Sequence, residues 1–142
     1  MRLYFDYPLS EPPPTHRKKG RFGNFSSFPF FRGVYRIRNL LNEKVYVGAS
    51  NYLPGRFSGH KSDLEKKMHS SYLLQADFDR YGFSPFVFQP LERVDKPNAL
   101  GEREQWWINF FQAGDIKYGY NVLSDISGKG RTYRDSTFTE YV

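Results

Sequence analysis

Residues 33–48 constrain the fold most. Gly33-Val34-Tyr35 and Tyr46-Val47-Gly48 are near-mirror copies of one tripeptide, and a polar stretch over 39–44 separates the runs that carry them. Both runs, 33–38 and 45–49, are rich in β-branched and aromatic residues, so the pattern predicts a β-hairpin. A turn centred on Leu40-Leu41 sets Tyr35 opposite Tyr46 and Val34 opposite Val47. Directly opposed Cβ atoms lie about 4.5–5.5 Å apart. The two phenols then leave the same face of the sheet.

The chain after the hairpin reads as alternating helices and one strand. Residues 54–68 predict a helix with Pro54 in its first turn and Phe57, Leu64 and Met68 as an apolar stripe. Arg56 and His60, four residues apart, share a face of it. Gly55 and Gly59 are poor helix formers, and their place beside Arg56 and His60 suits close approach by something large. A second helix is expected over 70–80, with Tyr72, Leu73, Ala76 and Tyr81 inward and Gly82 ending it. Residues 86–94 predict a third strand. A last helix spans 98–112, with Asn98 as N-cap and Gly114 closing it. The fold class expected is α/β (α+β): a small, mainly antiparallel three-stranded sheet flanked by three helices.

The last helix places a carboxylate in an apolar stripe. Counting about 100° per residue from Leu100, Glu104 falls near 40°, between Phe111 near 20° and Ile108 near 80°, whereas Glu102 falls near 200° on the opposite face. A buried carboxylate without a partner costs several kcal/mol. Glu104 therefore needs a cation, either a metal ion or an arginine such as Arg56 or Arg103.

The chain has 142 residues, enough for about one domain. It has no cysteine, which excludes disulfide frameworks and thiolate metal sites. No apolar run approaches the roughly 20 residues that span a membrane, and residues 1–14 lack a signal-peptide core, so a soluble intracellular protein is expected. The net charge is +6, which suggests a polyanionic partner. The charge is concentrated in residues 1–32, where Arg2, Arg17, Lys18, Lys19, Arg21 and Arg32 face only Asp6 and Glu11. Proline, glycine and phenylalanine are dense there too. Residues 1–31 are accordingly read as a basic, irregular arm, either a solvated tail or a phosphate contact through Arg17, Lys18 and Lys19.

Together these residues resemble the GIY-YIG nucleases. The two tripeptides stand ten residues apart, with valine for the usual isoleucine in each. Arg56 follows ten residues after the second tyrosine, Glu104 sits on a late helix, and Asn121 follows Gly119-Tyr120. The stretches Arg56 to His60 and Met68-His69-Ser70-Ser71 are similar to those of phage and organellar intron-encoded homing endonucleases. The resemblance implies a catalytic domain over 32–123 and a short tail over 124–142. It implies metal-dependent hydrolysis of phosphodiester bonds in double-stranded DNA, and a phage or organellar (mitochondrial or chloroplast) origin. Tyr35, Tyr46, Arg56, His60 and Asn121 are the implied catalytic residues. Glu104 is the implied ligand of one divalent cation, Mg²⁺ or else Mn²⁺. The glycines beside the tyrosines are expected to leave room for DNA backbone. His69 and Lys61 are candidate nucleic-acid contacts, with His69 structural as the alternative.

Each of these residues also has an ordinary reading: a cross-strand aromatic pair, surface or capping side chains, a turn asparagine. Such homing enzymes carry a separate DNA-binding module. Residues 124–142 are too short for a helix-turn-helix and have no zinc-binding cysteines, so a separate module or protein is an expected partner of a monomeric chain. The alternatives are a restriction-type enzyme cutting a short site, a DNA-binding protein with little activity, and an interaction domain that binds no DNA.

Overall fold

The computed structural model describes residues 4–11 and 30–122. They form β1 (Tyr7–Pro8), β2 (Gly33–Asn39), β3 (Val45–Ser50), α1 (Leu53–Glu65), α2 (Tyr72–Tyr81), β4 (Phe86–Arg93) and α3 (Leu100–Phe111), with a 3-10 turn at Pro97–Ala99. The strands make one antiparallel sheet in the order β1-β4-β2-β3. The expected α+β architecture with three helices is present, and the sheet has four strands rather than three. The extra strand comes from the segment read as an irregular arm. Leu9 explains why: it is fully buried, and its N–H donates to the Phe86 carbonyl at 3.1 Å. The basic cluster Arg17, Lys18 and Lys19 and the 124–142 tail lie outside the described residues.

The hairpin forms with a different register. Tyr35 pairs with Gly48, and Tyr46 pairs with Ile37, so the tyrosines are diagonal neighbours. The turn is centred one residue later than expected, between Leu41 and Asn42. Asn39 Oδ1 accepts from the Leu41 N–H at 2.9 Å, Asn42 Oδ1 accepts from the Lys44 N–H at 3.0 Å, and Glu43 takes a left-handed conformation with φ 64°. These asparagine turns stabilise the longer loop. Moving the turn centre by one residue moves each pairing by two, and side chains alternate with period two. Both tyrosines therefore still leave one face.

The glycines serve the protein's own packing. A Cβ at Gly48 would collide with Tyr35 Oη and Cζ, and one at Gly33 would collide with the Glu92 carbonyl oxygen. At this point β4 bulges, with Val34 opposite Glu92 and Tyr35 opposite Pro90. Pro90 has no N–H to donate, and a bulge is where a strand accommodates it. The Tyr35 ring at Gly48 and the Glu92 carbonyl at Gly33 fill the space expected for DNA.

The helices cover both faces. Phe57 of α1 packs on Phe88 at 4.5 Å between ring centroids, and Phe78 of α2 on Phe86 at 6.4 Å. On the opposite face Arg36 lies 4.9 Å over the Phe111 ring of α3. The inward face of α2 differs from expectation: Leu74 is buried while Tyr72, Ala76 and Tyr81 are exposed. Ser71 sets that rotation. Its Oγ accepts from the Leu74 N–H at 3.2 Å and donates to the Tyr120 carbonyl at 2.7 Å. Met68, expected in the α1 stripe, lies beyond the helix end and is exposed. Asn98 falls in the 3-10 turn instead of capping α3, and Gln112, at φ 56°, closes the helix instead of Gly114. No helix among the described residues is long and apolar enough to cross a membrane.

Leu9→Ala tests the weight of the N-terminal strand. Truncating a buried leucine costs about 2–5 kcal/mol, so the unfolding free energy should fall by that amount, read as a lower urea midpoint at unchanged slope. A loss below about 1 kcal/mol would make β1 an accessory to the fold.

Candidate active site

Tyr35 is the centre of a fully enclosed cluster. Its ring lies across Gly48 and stacks on Phe88 at 4.6 Å with an interplanar angle of 16°. The α1 helix brings His60 against it, and Tyr35 Oη is hydrogen-bonded to His60 Nε2. His60 Nδ1 in turn meets His69 Nε2 at 2.7 Å, and His69 Nδ1 accepts the Ser71 N–H at 2.9 Å. The Gln75 side-chain Oε1 accepts the His69 backbone N–H at 3.1 Å. Tyr46 sets its edge against both imidazoles, at 5.3 Å from His60 and 5.1 Å from His69. Tyr35 and His60 are 0% exposed and Tyr46 is 1% exposed. These rings belong to the interior of the domain.

Arg56 is the half-buried member of the group. It lies one helical turn before His60, close enough to disfavour charge on both imidazoles. A Cβ at Gly59 would come 3.2 Å from Arg56 Nη1, and one at Gly55 would come 3.2 Å from Tyr52 Cδ2. These two glycines therefore make room for the chain's own side chains. Lys61 pairs with Glu65 at 3.3 Å and lies 5.0 Å over the Phe83 ring.

Burial keeps both histidines uncharged. His60 is held well below its ordinary value, first by desolvation and then by Arg56 and His69. His69 is lowered to about 3, first by desolvation and then by Arg56.

The end of the described chain closes the far edge of β3. Tyr120 N–H donates to the Val45 carbonyl at 2.9 Å, and Val45 N–H donates to the Tyr118 carbonyl at 3.2 Å. Asn121 then clamps Val47 from both sides: its Oδ1 accepts from the Val47 N–H at 2.7 Å and its Nδ2 donates to the Val47 carbonyl at 2.8 Å. This holds the strand segment between Tyr46 and Gly48. Gly119 is required for the approach, because a Cβ there would strike the Ala113 backbone.

Glu104 is 5% exposed while Glu102 is exposed, as the helical phase predicts. Arg103 is not its partner. It turns to Glu92, with Nε–O distances of 2.9 and 3.2 Å, and Trp107 Nε1 donates to the same carboxylate at 2.8 Å. Among the described residues no group of three or more His, Cys, Asp or Glu is arranged to hold a metal. A single carboxylate ligand fits a hard cation that keeps most of its waters, as Mg²⁺ does. It does not fit the closed tetrahedral cage of a structural zinc.

The model of the GIY-YIG catalytic domain matches residues 31–121. The chain belongs to the GIY-YIG endonuclease family. It is 38% identical over 97 residues to intron-associated endonuclease 1 of enterobacteria phage T4, a match covering 68% of this chain and 38% of that protein. The chain thus spans well under half the length of that relative. Its fold matches the catalytic domain of the homing endonuclease I-TevI with a TM-score of 0.60 at 36% identity, covering 66% of this chain and 99% of that one. A mutant of the same catalytic domain matches with a TM-score of 0.59, also at 36% identity, covering 66% and 95%.

Within the GIY-YIG domain Tyr35, Tyr46, His60 and His69 form one contacting cluster, Arg56 adjoins it, and Asn121 secures the strand beneath. Glu104 enters on α3, which packs against β2 and β3. Ser71 and Gln75 were not foreseen as part of the site. Ser71 acts through its backbone amide, which no side-chain pattern reveals; the nearest signal was the His69-Ser70-Ser71 run itself.

The neutral histidines predict how stability depends on pH. Their folded-state values lie below the unfolded value near 6.5. The unfolded chain therefore binds protons that the folded chain refuses, and stability is lost as pH falls below about 6.5, down to about 3 for His69. Each histidine contributes a slope of up to about 1.4 kcal/mol per pH unit in that window. Urea unfolding at pH 7.5, 6 and 5 should give falling stability, with a shallower slope for His69→Gln. A flat profile would contradict neutral burial.

Proposed function

We propose that this chain is a metal-dependent DNA endonuclease of the homing type, acting through its GIY-YIG domain. The observation that carries the reading is the enclosed cluster of two phenols and two uncharged imidazoles behind the half-buried Arg56. Hydrolysis of a phosphodiester needs an activated water, a counter-charge for the phosphoryl oxygens and help for the leaving oxygen. Arg56 clamps the scissile phosphate through paired N–H donors, a geometry lysine does not offer. Tyr35 and Tyr46 line the water's position. A phenol with a pKa near 10 is a weak base at neutral pH, and the positive charge of Arg56 favours its phenolate. Asn121 keeps Val47, and with it Tyr46 and Gly48, in place. Glu104 would hold one divalent cation, Mg²⁺ or Mn²⁺, with waters and phosphate oxygens as the other ligands. Such a cation supplies counter-charge to the phosphoryl and leaving oxygens.

The substrate is double-stranded DNA, held mainly through phosphates, and the chain acts as a monomer. The longer phage relative supports the view that site selection belongs to a separate module or protein, and it supports a phage origin over an organellar one. The basic cluster Arg17, Lys18 and Lys19 adds phosphate contacts.

Cleavage of supercoiled plasmid tests the reading. Nicking or linearisation should require Mg²⁺ or Mn²⁺, stop in EDTA, and fall at least about a hundredfold in Glu104→Gln, in line with the loss of a charge-stabilising group. Glu102→Gln should cut like the parent. Cutting that survives EDTA and Glu104→Gln would sink the metal reading, and a discrete short recognition site would favour a restriction-type enzyme.

Alanine at Arg17, Lys18 and Lys19 together should lower the salt slope of DNA binding by up to about 3, since each phosphate neutralised contributes about 0.9. An unchanged slope would place no phosphate there.

A further inference from the structure

The hydrogen-bond chain behind Tyr35 admits one direction only. A neutral imidazole carries one N–H donor and one bare acceptor nitrogen. His69 Nδ1 faces the Ser71 backbone N–H at 2.9 Å, so that nitrogen is bare. The ring proton of His69 then sits on Nε2 and points at His60 Nδ1, 2.7 Å away. His60 Nδ1 is therefore bare too, and the His60 proton sits on Nε2 against Tyr35 Oη. Reversing the chain would leave His69 with two bare nitrogens, an imidazolate. Charging His69 would set two N–H groups head to head at Ser71, and charging His60 would again strip His69 of its proton.

We propose that His69 is a positioning residue: anchored by the Ser71 amide, it locks His60 as the Nε2–H tautomer, so that both histidines serve as a fixed strut donating to Tyr35 Oη and neither accepts its proton. The inference rests on the nuclease reading for its catalytic meaning, and on the hydrogen bonds alone for its geometry. Aligned donors polarise one another. The end of the chain therefore stabilises negative charge on Tyr35 Oη, and a proton leaving Tyr35 departs on the side away from His60. The backbone amide of Ser71 cannot give up its proton, so the chain is closed at its far end. His60 acts here neither as the general acid for the leaving group nor as a proton relay. His69, with both ring nitrogens engaged inside the protein, offers none to a phosphate. Charged and titratable groups that face the strut among the described residues include Arg56 from α1 and Tyr46 from β3.

Histidine ring ¹⁵N–¹H spectra of the full chain test the tautomers without reference to activity. The chain has three histidines, His16, His60 and His69, so His16→Gln leaves two ring systems to assign. Both should be Nε2–H and unchanged from pH 8 to pH 5.5. A Nδ1–H form of His60, or protonation of either ring in that range, overturns the proposal even if the protein cleaves DNA.

The catalytic consequence is read from plasmid cleavage by His69→Leu and His69→Gln. The leucine variant removes the donor to His60, and the glutamine amide restores one. His69→Leu should cut roughly tenfold more slowly at neutral pH, one pKa unit being a factor of ten, and should recover toward the parent rate as pH is raised. His69→Gln should restore most of the neutral-pH rate. Equal loss in both variants at every pH, in folded protein, would make His69 a packing residue only and overturn its positioning role. Absence of cleavage in the parent chain would count against the nuclease reading and leave the tautomer result standing.

Discussion

The site depends on the Tyr35 ring lying flat across Gly48. That contact is possible only because position 48 has no side chain, and it sets everything that follows. The ring is held between Gly48 and Phe88, so its oxygen has one place to go, against His60. From His60 the hydrogen bonds run to His69 and end on the Ser71 amide at the start of α2. One missing methyl group in β3 thus aligns two strands and two helices about a single phenol. An alanine at Gly48 would displace the ring and with it the bond to His60. The second glycine of the hairpin works alike: Gly33 admits the Glu92 carbonyl and with it the bulge that lets β4 carry Pro90.

Much of this was legible in the sequence, and the exceptions have physical causes. The hairpin, the later strand, the three helices and the burial of Glu104 over Glu102 all follow from periodicity, which integrates over many residues. The register did not follow, because it depends on which of two asparagines caps which amide inside a six-residue turn. The rotation of α2 did not follow either. Its Tyr72, Leu73, Ala76 and Tyr81 spread apolar character around the helix, and a buried bond from Ser71 to the Tyr120 carbonyl, 49 positions away in sequence, decides the face. The N-terminal strand was hidden for the opposite reason: Tyr7–Pro8 is too short to carry a period, and one buried leucine ties it down.

The candidate residues were found by type and spacing, and their geometry assigns them different kinds of work. The phenols and imidazoles are enclosed, and the half-buried Arg56 is the member nearest solvent. Asn121 hydrogen-bonds to the strand that runs between two of them. It holds the backbone of Val47, so that a change there would reach the site by moving the strand that carries Tyr46 and Gly48. The sequence marks these residues together because they form one mechanical unit, built around Tyr35 and opening toward solvent at Arg56.

Arg56 links the enclosed part to the open part. Its charge helps to keep His60 and His69 neutral, and a bound phosphate would offset that charge. If Arg56 were the main cause of their neutrality, substrate binding would invite a proton onto the imidazoles and break the strut at the moment of use. Burial is the larger cause for both rings, and Arg56 the second. Desolvation does not change when a phosphate arrives at the surface. On the nuclease reading, the strut would therefore keep its protons in place through binding, and a phosphate paired with Arg56 would leave undisturbed the hydrogen bonds that orient Tyr35.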